Sequence, residues 1–246
     1  MTVIESPENA GHPRDDAPLP YWMNRPCPSW CTIAHKDEDT CEDRVHMSEM
    51  RRLGLVLEDP PEVEVDGKVL DDGPAALSVS MWQHYRERAP YIAVIRNDVA
   101  VSRCEVAEAD ELASLLLDAA DLGEKAEEAP LTNARPSWQS LPCPAWCTFT
   151  HDETDIQLDR VHADDPQRVT LTMENPEAMP GKQWRPRTAS VSLLQGWRER
   201  EPCVSLLFLG QFTHLTLSEA RELAGALTGF VQEANDEAPD ASESTA

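Results

Sequence analysis

Eight side chains in this chain are of the types and spacing that bind a metal ion. They are Cys27, Cys31, His35 and His46, and again Cys143, Cys147, His151 and His162. Each set reads Cys-x3-Cys-x3-His-x10-His, and every member of the second lies 116 residues after its counterpart (143 minus 27, 162 minus 46). Two soft thiolates and two imidazoles are the donors that a tetrahedral zinc site uses. The pattern therefore predicts two zinc ions per chain. Such a site draws its four donor atoms to within about 4 Å of one another. A straight helix cannot do this with Cys27, Cys31 and His35, because an eight-residue step climbs about 12 Å along the axis. The segment must bend, and Pro26 and Pro28 (Pro142 and Pro144 in the second copy) disfavour regular helix where it has to. His46 and His162 then return from the far end of a polar loop.

Two other readings use the same residues: buried cysteines with satisfied histidines, or a reversible Cys-x3-Cys disulfide. If metal is bound, Asp43 and Asp159, or Asp39 and Asp155, either orient a ligating imidazole through its second nitrogen or are solvated loop acids. Trp30 and Trp146, between the paired cysteines, are placed to exclude water. Cys41, Cys104 and Cys203 lack counterparts in the other copy, and neither His12, His84 nor His214 has a histidine partner, so none receives a role. Four protein ligands close a site and argue for scaffold over catalysis. The alternative is a metal-dependent enzyme with three ligands, in which His46 or His162 serves as general base. No phosphate-binding glycine loop, nucleophile elbow or His-Glu-x2-His helix accompanies the clusters.

The elements that position these residues are also repeated. Ser78-Val-Ser80 matches Ser190-Val-Ser192, Tyr85-Arg-Glu-Arg88 matches Trp197-Arg-Glu-Arg200, and Glu108-Ala-x-Glu-Leu-Ala113 matches Glu219-Ala-x-Glu-Leu-Ala224. The offset falls from 116 to 112 to 111, as loop-length changes permit. Strands are expected over 53–57, 78–85, 91–95 and 99–102, and over 169–173, 190–197, 203–209 and 212–217. Each copy then ends in an amphipathic helix. Leu112, Leu115, Leu116 and Ala119 mark its apolar face in the first, and Ala220, Leu223, Leu227, Phe230 and Val231 in the second. Ser218 is the expected helix cap. The fold class is α+β: a Cys/His segment, an antiparallel sheet and a packed C-terminal helix, used twice. The expected boundaries are a disordered tail over 1–19, repeats over 20–122 and 136–234, a charged linker over 123–135, and an acidic tail over 235–246.

Forty-five acidic against 21 basic residues give a formal charge of −24. That field disfavours direct nucleic-acid binding; it serves solubility first, with a basic protein partner as the alternative. The paired arginines of Arg86-Glu-Arg88 and Arg198-Glu-Arg200 either meet such a partner's carboxylates or mark a solvated hairpin tip. Residues 1–19 have no apolar core of a secretory signal, and no stretch is long enough to span a membrane. A cytoplasmic protein is expected, in which reduced cysteines favour metal over disulfide. Oligomeric state is not written in the sequence.

The Cys-Pro-x-Trp-Cys-x3-His core, with Ser-Val-Ser and Glu-Ala-x-Glu-Leu-Ala downstream, resembles a family of uncharacterised domains from Streptomyces and related actinobacteria. The resemblance covers both repeats and implies a tandem arrangement. It carries no activity with it.

Overall fold

The computed structural model describes residues 19–60, 62–65, 68–71, 73–97, 99–125, 136–139, 142–179, 183–208 and 210–237. The expected tails over 1–18 and 238–246 and most of the linker, 126–135, lie outside the described residues.

Each repeat builds one antiparallel sheet around a long central strand. In the first, β1 (Val45–Met47), β2 (Arg51–Gly54), β5 (Ala76–His84), β6 (Tyr91–Arg96) and β7 (Val99–Cys104) make a five-stranded sheet. A separate hairpin of β3 (Glu62–Val65) and β4 (Lys68–Asp71) interrupts the order. β5 is long enough to pair twice on one edge, with β2 at Ala76–Val79 and with β1 at Trp82–His84. The second repeat copies this with β8 (Val161–Ala163), β9 (Gln167–Leu171), the hairpin β10 (Glu177–Met179) and β11 (Gln183–Arg185), then β12 (Arg187–Gly196), β13 (Cys203–Phe208) and β14 (Gln211–Leu215). Alternation sorts the two faces of β12. Ala189, Val191 and Leu193 point into the core, and Ser190 and Ser192 lie on the other face.

Helix α1 (Val106–Glu124) closes the first repeat and α2 (Leu217–Asp236) the second. Both start with a capping box, Glu105 with Glu108 and Thr216 with Glu219. Thr216, and not the expected Ser218, is the cap of α2: its hydroxyl accepts from Glu219 N, and the helix begins one residue before Ser218. Asp236 carries the helix two residues past the expected end at 234.

The helices cross over. α1 packs along α2 and lies mainly on β9 and β12 of the second repeat, while α2 reaches back to β2 and β5 of the first. Small residues on the buried face of α1 (Ala109, Ala113, Ala120, Gly123) allow this approach, and a Cβ at Gly123 would stand 2.9 Å from Leu217 Cδ2. One continuous core results, drawing on both sheets and both helices. Leu112, Leu116, Leu223, Leu227 and Phe230 are almost wholly buried in it. At roughly 1.5–3 kcal/mol each, these five side chains match the net stability of a typical domain, about 5–15 kcal/mol. The repeats cannot part without losing it.

Polar contacts across the junction obey the same pseudo-twofold relation. Glu108 uses Oε2 to accept from Glu105 N in its own capping box and Oε1 to accept from Thr172 N (2.7 Å) and Oγ1 (2.6 Å) of the other repeat. Glu219 does likewise, with Oε2 on Thr216 N and Oε1 on Val56 N at 2.7 Å. Further out, Glu58 accepts from His214 N and Glu174 from Arg103 N, so a carboxylate from each repeat caps an edge strand of the other.

Candidate metal centres

The bend that the prolines imposed is present. A turn closed by Cys31 N donating to Pro28 O, and by Cys147 N donating to Pro144 O, both at 3.0 Å, turns the second cysteine back toward the first. Thr32 N and Thr148 N then bond Met47 O and Ala163 O, which lashes each cysteine loop to the strand that carries its last histidine. That strand was not expected. The Asp-Arg-Val-His segments form β1 and β8, and pairing with the central strand (His46 opposite Gln83, His162 opposite Gln195) fixes each imidazole against the sheet.

All eight expected residues come together as two groups of four, with the donor atoms of each group within 4.8 Å of one another. In the first, Cys27 Sγ lies 3.4 Å from both His35 Nε2 and His46 Nδ1; His35 Nε2 also lies 3.4 Å from Cys31 Sγ and 3.1 Å from His46 Nδ1. The corresponding distances in the second are 3.3, 3.3, 3.5 and 3.2 Å. A tetrahedron with bonds of about 2.3 Å to sulfur and about 2.0–2.1 Å to nitrogen has edges of about 3.5–3.6 Å between sulfur and nitrogen and about 3.3–3.4 Å between nitrogens. The observed edges match to about 0.3 Å. Hydrogen bonding alone does not explain them, because one imidazole nitrogen carries one proton or one lone pair and His35 Nε2 faces three donors at once. A cation at the centre fits. All seven cysteines are unpaired in this structure, and a side chain fills the fourth position in both clusters, against a three-ligand site.

The electrostatics point the same way. The side-chain hydrogen bond with Cys31 pushes the Cys27 thiol well above its ordinary range, with burial and the Cys31 charge adding to it; Cys31 is itself held down to about 2, chiefly by that bond. The pair ionises once, not twice, until a cation balances the second charge. Burial, then Cys147, pushes Cys143 up to about 12. Burial, then the neighbouring His151, pulls His162 down to about 4, which keeps it in the neutral form that ligates.

The surroundings differ from expectation in one respect. Asp39 and Asp155 do not orient a histidine: their Oδ2 atoms accept from Lys36 N and Asp152 N and so close the polar loop. Asp43 accepts from Thr40 Oγ1, and His35 Nδ1 is buried without a partner. Orientation comes from aromatic packing instead. Trp22 meets His35 edge-on at 5.4 Å and Trp138 meets His151 at 5.6 Å, each held by its indole N–H donating to Lys36 O or Asp152 O at 2.8 Å. Arg44 lies over Trp22 and Tyr85, Arg160 over Trp138 and Trp197, and the Nε of each donates to Asp39 O or Asp155 O. These four supporting residues were missed, although their identity in both copies was the signal available. Trp30 and Trp146 are buried as expected, Trp30 edge-on to His46 at 6.3 Å. The Arg-Glu-Arg tips are hairpin turns, in which Glu87 and Glu199 accept from His84 N and Gly196 N.

Among the described residues no helix is long and apolar enough to cross a membrane. Comparison with curated proteins found no match. A family model does match, once over residues 10–132 and again over 129–243, which together span nearly the whole chain. The chain therefore belongs to the family described as a domain of unknown function, DUF6907, which it carries as a tandem pair.

Proposed function

We propose that this is a non-enzymatic binding or regulatory protein in which each Cys2His2 cluster holds one structural zinc ion. The observation that carries this is the convergence of four donor atoms, twice, at tetrahedral edge lengths. Two thiolates and two imidazoles suit zinc, whereas magnesium and calcium prefer oxygen donors that neither cluster supplies. On this reading the modules are 20–122 and 136–234, joined by the linker and flanked by the two tails. Seven unpaired cysteines suit a reducing cytoplasm, and the motif suits an actinobacterial source. The charge of −24 favours a protein partner over nucleic acid.

Elemental analysis of the purified, untagged chain tests the reading. It should give two zinc ions per chain, with an X-ray absorption edge fitted by two sulfur and two nitrogen neighbours. A folded protein containing no metal would sink it.

A further inference from the structure

At four positions beside the metal clusters, the first repeat carries a bulky side chain and the second a smaller one. Trp82, His84 and Tyr91 correspond to Leu194, Gly196 and Cys203 at an offset of 112, and Arg103 to His214 at 111. The strand registers confirm the matches. Trp82 sits opposite Tyr91 where Leu194 sits opposite Cys203, and His84 opposite Val45 where Gly196 sits opposite Val161. In the first repeat Trp82 donates to Ser80 Oγ, His84 lies tilted against Tyr85 at 4.6 Å, Arg103 lies over Tyr91, and Ser29 N donates to Glu237 at the end of α2. In the second repeat the corresponding space is a cleft of about 1080 Å3, bounded by His162, the end of α1 and the start of α2. The second repeat is open at a place where these four side chains of the first are larger.

The walls state what fits. Leu194, Leu217 and Pro202 give an apolar floor. Gln139 lines the cleft but is only 8% exposed, and its buried amide lies beside Cys143 of the metal cluster. Among the acids that line the cleft, Glu124 is paired with Arg221 and Glu199 accepts from Gly196 N, which leaves Glu201 beside Arg200 on a protein of charge −24. Glu201 is exposed and has no ion-pair partner among the described residues. We propose that this cleft docks an extended basic segment of a partner protein. One apolar side chain seats on Leu194 and Leu217, and a neighbouring Lys or Arg faces Glu201. The proposal rests on the reading of the chain as a binding protein and names the chemistry of its partner.

The test uses the full-length, 15N-labelled chain with its metal content measured, and the blocked peptide Gly-Leu-Lys-Leu-Arg-Gly. Amide shifts should cluster at Gly196, Trp197, Cys203 and Leu217. A control peptide with both cations replaced by Glu should bind at least about tenfold more weakly, as charge complementarity requires. The double substitution Leu194→Trp with Cys203→Tyr installs the pair that the first repeat already packs, so it should abolish these shifts while metal content and Tm are kept. Glu201→Lys should weaken binding about threefold to tenfold and flatten its dependence on salt. No shifts at the cleft, equal binding of the two peptides, or unchanged binding by the double variant each overturn the proposal. Should it fail with two zinc ions present, only the cleft assignment is lost; absence of zinc defeats the metal reading whatever the peptide does.

Discussion

The two repeats hold the same metal cradle in different settings. Loop bonds, tryptophan and arginine recur position for position, and the distances between donor atoms differ by no more than about 0.1 Å between copies. Around the cradle the likeness ends. Cys31 is completely buried where Cys147 is partly exposed, and Glu237 stands beside the first cluster while the second borders a cleft. Cluster geometry thus depends on the cysteine loop and its pairing with the central strand, which both repeats keep, and its accessibility on side chains that they do not share. The first can stay fixed while the second changes.

The comparison breaks most severely if the clusters prove unequal in holding the fold. Cys27→Ser and Cys143→Ser should each lower the metal content from two ions to one. Because metal binding is coupled to folding and the core is shared, each should cost at least about 4 kcal/mol, or roughly 10 °C or more in Tm. Calorimetry should still show one transition. Two separate transitions would mean that the repeats melt independently, contrary to the crossed helices.

Next in size are the buried carboxylates. Glu108→Ala removes a capping-box partner and strands Thr172 N, for about 3 kcal/mol; Glu219→Ala, with one cross-repeat bond instead of two, should cost about 2 kcal/mol. Urea unfolding of both variants measures the ratio, and equal losses would remove the asymmetry inferred from Thr172 Oγ1. A kinetic difference is expected in metal release. A chelator in excess should extract the two ions in two phases, the second cluster at least about tenfold faster because Cys147 is partly exposed beside the cleft, and Cys143→Ser should delete the fast phase. A single phase would equate the clusters. The smallest effect concerns the unmatched cysteines. At neutral pH iodoacetamide should label exposed Cys41 before Cys104, whose buried thiol is pushed up to about 12, and mass spectrometry of peptides reads the order.

Much of the site was legible because a duplicated sequence supplies its own comparison. Residues under one geometric requirement stay matched while neighbours such as Lys36 and Asp152 diverge, and the prolines announced the bend. The principal strands followed from alternation, and the helices from a 3.6-residue period. The destination of the helices was not legible. The face formed by Leu112 and Leu116 says that α1 covers an apolar sheet, but two similar sheets were available and periodicity does not choose between them. The choice lies in contacts such as Gly123 against Leu217 and Glu108 on Thr172, which pair residues far apart in sequence. Strand β1 was hidden for a related reason. Three residues are too few for a period, and what makes Val45–Met47 a strand is its partner Trp82–His84. The acids beside the histidines misled because an Asp two to five residues from a turn is as useful to the backbone as to a ligand.

Crossed helices have one more consequence. Had the same interlocked shape been built from two identical chains, every substitution would occur on both sides at once, and opening a cleft by replacing Trp82 and Tyr91 would loosen both halves together. Joining the halves in one polypeptide frees them from that duplication. One copy can remain filled and support the common core, while its twin gives up bulk to gain a binding surface, and the energetic loss is confined to a single side.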